Sequence, residues 1–179
     1  MKRLLILLLA IFVSSCATEQ RPLPPQEAII ANIARTSFPD RERVVEQREG
    51  VEMLPVLQQA IDSCSYYGGG RVTVQAGHYA LNGPLRMKSN VNLHLEEGAY
   101  LQFSGRSADF LPVVLTRWEG TELYGPSPMI YAYHCTNIAL TGRGTIDAQG
   151  GKEFAAWSQI EAEDRDRLRE MGDKLTPVE

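Results

Sequence analysis

Gly68-Gly69-Gly70-Arg71-Val72-Thr73-Val74 opens the stretch that decides the fold. Val91-Asn92-Leu93-His94-Leu95, a Glu97-Gly98 turn and Ala99-Tyr100-Leu101-Gln102-Phe103 complete it. Side chains alternate across a strand, so Val91, Leu93 and Leu95 share one face, opposite Asn92 and His94. Ala99, Leu101 and Phe103 share the next face in the same way. The segments are short, separated by turns, and no helix joins them. Self-similar short strands of this kind bury their apolar faces by stacking on one another, which is the requirement of a β-solenoid.

Upstream, residues 54–67 read as a helix. Leu54, Leu57, Ala60, Ile61 and Cys64 recur at spacings of three and four, giving one apolar stripe. Pro55 suits the first turn, and Gly68-Gly69-Gly70 supplies a left-handed stop. A solenoid needs its first coil covered, and this helix is the expected cap.

Downstream, strands are expected at Met129-Ile130-Tyr131-Ala132-Tyr133, Ile138-Ala139-Leu140 and Thr145-Ile146-Asp147. Ser89-Asn90-Val91-Asn92-Leu93 is echoed by Thr136-Asn137-Ile138-Ala139-Leu140 at an offset of 47, read as about two coils. Residues 159–179 change character. Ten of the fourteen residues from Glu161 to Lys174 are charged, and Glu161/Arg165, Glu163/Arg167 and Glu170/Lys174 stand four apart, the spacing of a solvated helix. No capping coil follows, so the chain reads as an incomplete, truncated solenoid.

The 179 residues suit one domain, and a net charge of −4 without a basic run excludes a nucleic-acid binder. Lys2-Arg3 followed by apolar Leu4–Val13 and by Val13-Ser14-Ser15-Cys16 resembles a bacterial lipoprotein signal. Residues 1–15 then form the signal peptide, Cys16 is the lipidated residue, and 16–25, with Pro22, Pro24 and Pro25, is a linker. This predicts an exported lipoprotein anchored to a membrane through its lipid. Residues 26–158 form the N-terminal part of the β-helix domain. They begin with a short amphipathic helix in 26–35, and 42–52 read as loop with a short strand at Val44-Val45. Cys64 and Cys135 read as free, partly buried thiols, with a disulfide between them as the alternative.

The motifs carry a family resemblance. Ala60-Ile61-Asp62-Ser63-Cys64, running into Gly68–Val74 and Ala76-Gly77-His78-Tyr79, resembles the start of pectin-degrading right-handed parallel β-helix enzymes. Gly83-Pro84-Leu85-Arg86-Met87-Lys88-Ser89-Asn90-Val91-Asn92-Leu93-His94-Leu95 narrows the resemblance to glycoside hydrolase family 28, the polygalacturonases. Leu115–Gly120 and Ile138-Ala139-Leu140-Thr141-Gly142-Arg143-Gly144-Thr145-Ile146-Asp147 strengthen it. Its implied fold is all-β: the first coils of a right-handed parallel β-helix with an N-terminal capping α-helix. Residues 46–53 depart from the family's Gly-Asp-Gly pattern before the cap.

The resemblance implies an inverting hydrolase of α-1,4-linked galacturonic acid polymers, working without metal or cofactor on pectic polysaccharide such as polygalacturonate or rhamnogalacturonan oligosaccharides. Inversion requires one carboxylic acid on the leaving oxygen and a second carboxylate activating water. The family's Asn-Thr-Asp, Asp-Asp, Gly-His-Gly and Arg-Ile-Lys motifs do not occur here in order, so no catalytic residue is assigned and this chain alone is expected to be inactive. Arg86-Met87-Lys88 precedes the place where Arg-Ile-Lys belongs. Asp147, in a glycine-rich turn, reads as structural. His78, His94 and His134 lack metal-ligand spacing. The substrate-binding candidates lie in the long 106–128 loop: Trp118 to stack on a sugar, Arg117 to pair with a uronate, Glu119 to accept a hydroxyl. The alternative there is Trp118 packing the loop down and Arg117–Glu119 forming a surface pair. A non-catalytic cell-surface carbohydrate-binding module, and a pectate lyase or epimerase relative, are the competing functional readings.

Overall fold

The computed structural model describes residues 25–118, 120–151 and 153–177. The expected signal peptide, lipidated Cys16 and most of the linker lie outside the described residues. The described residues divide into two units between Arg35 and Thr36. In the first, helix α1 spans Gln26–Ala31, shorter than expected, and buries none of its residues.

The second unit is built from three parallel sheets. Strands β1 (Glu42–Val45), β2 (Gly70–Val74), β5 (Val91–Leu95) and β10 (Ala139–Gly142) form the first, in that order. Strands β3 (Gly77–Leu81), β6 (Ala99–Phe103) and β11 (Thr145–Asp147) form the second, and β4 (Leu85–Arg86) with β9 (Ile130–Tyr131) the third. Each sheet collects one strand from each successive turn of the chain, which is the construction of a parallel β-helix. β2, β3 and β4 make one coil; β5, β6 and β9 the next; β10 and β11 begin a third.

Registers show why these residues stack. Val72 faces Leu93 and Leu93 faces Leu140; Tyr79 faces Leu101 and Leu101 faces Ile146; Leu81 faces Phe103. Val72, Leu93, Tyr79, Leu101, Leu81 and Phe103 are wholly buried. Each such aliphatic or aromatic side chain stabilises the fold by about 1.5–3 kcal/mol through lost apolar exposure. The one polar group among them, the Tyr79 hydroxyl, donates to the backbone carbonyls of Val45 and Gln75.

The echo at 47 residues is one coil, not two. Asn92 pairs directly with Ala139 and Leu93 with Leu140, whereas Gly70 pairs with Val91 only 21 positions on. The second coil is longer because residues 104–128 are inserted between β6 and β9. That insertion is also not a plain loop. It contains a 3-10 turn, Ser107–Phe110, and an antiparallel hairpin of β7 (Val114–Trp118) and β8 (Thr121–Gly125).

Helix α2 spans Met53–Tyr66 and lies over the first coil, burying Met53, Leu57, Ile61 and Cys64; Leu54 and Ala60 are half-buried. Strand β1 covers the other open feature of that coil, the hydrogen-bonding edge of β2. Cys64 is buried and Cys135 half-buried, and both are free thiols. Burial pushes the Cys64 thiol up, and the Cys135 Sγ sits 3.3 Å from the Met87 and Tyr133 carbonyls. The charged segment forms one helix, α4 (Ala162–Asp173), preceded by the uncharged α3 (Phe154–Ile160), with Glu161–Arg165 at 3.5 Å and Glu170–Lys174 as ion pairs.

Candidate functional site

The outer face of the second sheet carries a continuous polar cluster. Because Tyr79 and Leu101 point inward, His78, Tyr100 and Gln102 must point out. The His78 and Tyr100 rings lie 5.2 Å apart, and His78 Nε2 is 3.1 Å from Gln102 Oε1. Asp147 is paired with Gln102 one coil on. The Tyr100 hydroxyl and the Gln149 side-chain amide donate to Asp147 Oδ2, and the Gln149 backbone N–H donates to Oδ1 at 2.8 Å. These donors, Tyr100 first, hold the Asp147 carboxyl at about 2. The same bond pushes the Tyr100 phenol up, since ionising it would place two anions together.

Asp147 is therefore a carboxylate committed to three donors. A general acid must carry a proton at working pH, and a group that ionises near 2 does not.

A second outer polar row lies on the first sheet. His94 Nδ1 is 2.8 Å from the Thr141 hydroxyl, which donates to Asn92 Oδ1 at 2.8 Å. Thr73 donates to Glu42 at 2.5 Å. These side chains satisfy one another across neighbouring coils.

The inserted hairpin places the candidate binding residues. Arg117 faces Glu122 across the hairpin, and Trp118 faces Thr121. Neighbouring positions alternate, so Arg117 and Trp118 stand on opposite faces and do not converge on one sugar ring. Arg117 is exposed and Trp118 half-buried. Glu119 lies outside the described residues. Arg117, Glu122 and Arg169 of α4 line an open groove of about 620 Å³ between the hairpin tip and the end of α4.

Hydrogen bonds and ring contacts pin this insertion to its neighbours. The Tyr131 hydroxyl of β9 donates to the Leu115 carbonyl at 2.9 Å. Glu153, just before α3, accepts from the Ser107 N–H at 2.8 Å and from its hydroxyl at 2.7 Å, which holds the Glu153 carboxyl below its ordinary range. A run of rings, Phe103–Phe110–Phe154–Trp157, with centroids 5.0–6.3 Å apart, joins core, insertion and α3. Phe110, Phe154 and Trp157 also line an apolar cavity of about 430 Å³ with Pro126, Pro128 and Met129.

The fold as a whole has counterparts in known proteins. An exopolygalacturonase from Thermotoga maritima superposes with a TM-score of 0.71 at 33% identity, over 86% of this chain and 38% of that one. An endo-polygalacturonase of Pectobacterium carotovorum subsp. carotovorum is 29% identical over 101 residues, 53% of this chain and 24% of the relative. In sequence and fold the chain is similar to polygalacturonases.

A polygalacturonase from Erwinia carotovora ssp. carotovora shares the fold, with a TM-score of 0.53 at 24% identity over 72% of this chain and 37% of that one. No family model matches the sequence. The chain spans about a quarter of the length of the curated relatives it matches. The Tyr100–Gln102–Asp147 cluster was not among the sequence candidates. Its signal was present in the outward positions of β6 and the 45-residue step from Gln102 to Asp147, but that step is visible only once the insertion is recognised.

Proposed function

We propose that these residues are the N-terminal coils of a pectin-degrading glycoside hydrolase that cleaves α-1,4-galacturonosyl linkages with inversion. The observation carrying this reading is the superposition on the Thermotoga maritima exopolygalacturonase over 86% of the chain. Inversion uses two carboxyl groups across the scissile bond. Asp147, the carboxylate best placed by sequence pattern, is tied up by Tyr100 and Gln149. The hydrolytic pair is therefore expected outside these 179 residues, and the chain by itself binds substrate without turning it over.

Arg117 is the residue of the insertion suited to a uronate, being exposed, cationic and set in an open groove. Calorimetric titration of the purified chain with oligogalacturonate, alongside a reducing-end assay on polygalacturonate, tests the reading. Expected are binding weakened by Arg117→Gln and no release of reducing ends. Turnover by the chain overturns its proposed inactivity, and indifference to Arg117→Gln removes that contact. From the Lys2-Arg3, Leu4–Val13 and Val13-Ser14-Ser15-Cys16 pattern alone we further propose that Cys16 is lipidated and anchors the protein to a membrane. The test is acyl-chain labelling that disappears in Cys16→Ser.

A further inference from the structure

Helix α2 ends at Tyr66 and is capped by Tyr67, two tyrosines that its packing leaves outside. Tyr66, the last helical residue, is 84% exposed and Tyr67, the C-cap, 61%, although the helix buries Met53, Leu57, Ile61 and Cys64 on its other face. The two rings stand edge to face, 5.1 Å apart. The Arg43 guanidinium lies over the Tyr67 ring at 5.3 Å. Arg41 also reaches this end of the helix and donates to the Tyr67 carbonyl, which leaves Arg43 as the guanidinium on the ring. Beside the tyrosines runs an open groove of about 660 Å³ that includes Gln59 and Ser63.

Aromatic rings left in water cost free energy unless something covers them, and an exposed ring beside a cation has a specific complement. A sugar presents an apolar ring face and, if it is a uronic acid, a carboxylate on the ring's edge. The Tyr66 ring offers the stacking surface. Arg43 offers a planar fork for a carboxylate, held in place by Tyr67. The Gln59 amide offers hydrogen bonds to hydroxyls along the groove, and the Ser63 hydroxyl, which donates to the Ala60 carbonyl at 3.3 Å, offers its oxygen as an acceptor. Asp62, the one acidic residue there, accepts from Gln58 Nε2 at 3.0 Å. A neutral glycan would leave the Arg43 fork without an anion, and an apolar peptide would leave the Gln59 amide unused.

We infer that the Tyr66–Tyr67–Arg43 patch at the end of the cap helix is an accessory binding site for an acidic polysaccharide. It is separate from the hairpin groove that holds Arg117. Such a site would keep the enzyme on an insoluble polymer while its cleft works elsewhere on the chain. The ligand class rests on the pectic reading above; the existence of the site rests on the patch itself.

The test is calorimetry on the full 179-residue chain with three probes: oligogalacturonate, an oligoguluronate and a neutral β-1,4-galactan oligomer. Circular dichroism verifies that Tyr66→Ala and Arg43→Gln, both surface changes, leave the fold intact. Oligogalacturonate should bind, Tyr66→Ala should weaken it about tenfold, and Arg43→Gln about threefold. Arg117→Gln should leave the Tyr66 dependence unchanged. Binding to oligoguluronate alone, still dependent on Tyr66, upholds the site and overturns the pectic reading. Oligogalacturonate binding indifferent to Tyr66→Ala and Arg43→Gln overturns the site and leaves the pectic reading standing. Equal affinity for the neutral galactan, or binding of none of the three probes, also overturns the site.

Discussion

Asn137 donates a side-chain hydrogen bond to Asn90, 47 residues earlier, at 3.0 Å. Both residues hold a positive φ, 54° and 64°, in the left-handed region that asparagine tolerates better than most side chains. They mark the same corner in successive coils. Gly69 occupies that corner one coil before, where a Cβ would stand 2.4 Å from the Asn90 carbonyl oxygen. Asn137 further exchanges hydrogen bonds with the Ser37 backbone, tying the segment before β1 to the third coil.

Asn137→Gly and Asn137→Ala separate the two duties of this residue. Glycine keeps the backbone freedom and loses the side-chain bonds, a cost of about 1 kcal/mol. Alanine loses the same bonds and must also sit at positive φ, which adds about 1–2 kcal/mol. Urea denaturation should rank wild type above the glycine variant and the glycine variant above the alanine one. Equal losses would show that the backbone at position 137 carries no strain.

The interior of this β-helix was legible because period-2 alternation is unambiguous where one face is buried. Val91, Leu93 and Leu95 and then Ala99, Leu101 and Phe103 announce their orientation without reference to any neighbour. Strand β1 was harder to see. Only Val45 of Glu42-Arg43-Val44-Val45 is buried, since an edge strand has little to bury. The hairpin of residues 114–125 interrupts the repeat, so a 47-residue step that is one coil looked like two. The candidate site suffered most from this. Arg117 and Trp118 are adjacent in sequence and appear to cooperate, but an antiparallel strand sends adjacent side chains to opposite faces. The exposure of Tyr66 and Tyr67 was invisible, because aromatic residues at a helix end read equally well as core.

Leu93 and Leu140 offer the same side chain in the same ladder at two degrees of burial. Leu93 is wholly buried beneath Val72 and Leu140, whereas Leu140 is 49% exposed. Leu93→Ala should cost about 2–5 kcal/mol, combining lost transfer energy with a cavity the packed coils cannot close. Leu140→Ala should cost under about 1.5 kcal/mol, since solvent already reaches half of it. Thermal and urea unfolding of the two variants would decide. A Leu140 variant as damaged as the Leu93 one would mean that position 140 is covered in solution.

Asp147 makes stability depend on pH in a known direction. Its carboxyl is held at about 2, below the ordinary value, by Tyr100 and Gln149. A group depressed in the folded state contributes stability that is present above its unfolded value. That stability disappears as pH falls through the folded one. Asp147→Asn should therefore lower Tm at pH 7, and the difference from wild type should shrink between about pH 4 and pH 2. Tyr100→Phe removes the first donor, so the Asp147 carboxyl should titrate at higher pH, read from its carbon chemical shift. A Tm difference for Asp147→Asn that is the same at pH 7 and pH 2 would dismiss the proposed network.

Gly142 is where a single methyl group should do most harm. It lies at the end of β10 with φ 103°, and a Cβ there would stand 1.9 Å from the Leu95 carbonyl oxygen. That carbonyl is fixed, because it accepts the Arg143 and Gly144 N–H groups at 2.9 and 3.2 Å. Leu95 in turn pairs with Val74 of the coil below. The clash cannot be relieved by rotating a side chain, and moving the backbone would break the turn into β11. Gly142→Ala should cost at least about 2 kcal/mol. Gly150→Ala is the control, since nothing lies within 4 Å of its Cβ position. It should be neutral or stabilise by up to about 1 kcal/mol through the lost entropy of the unfolded chain. Similar unfolding midpoints for the two variants would mean that the corner between β10 and β11 is not packed against Leu95.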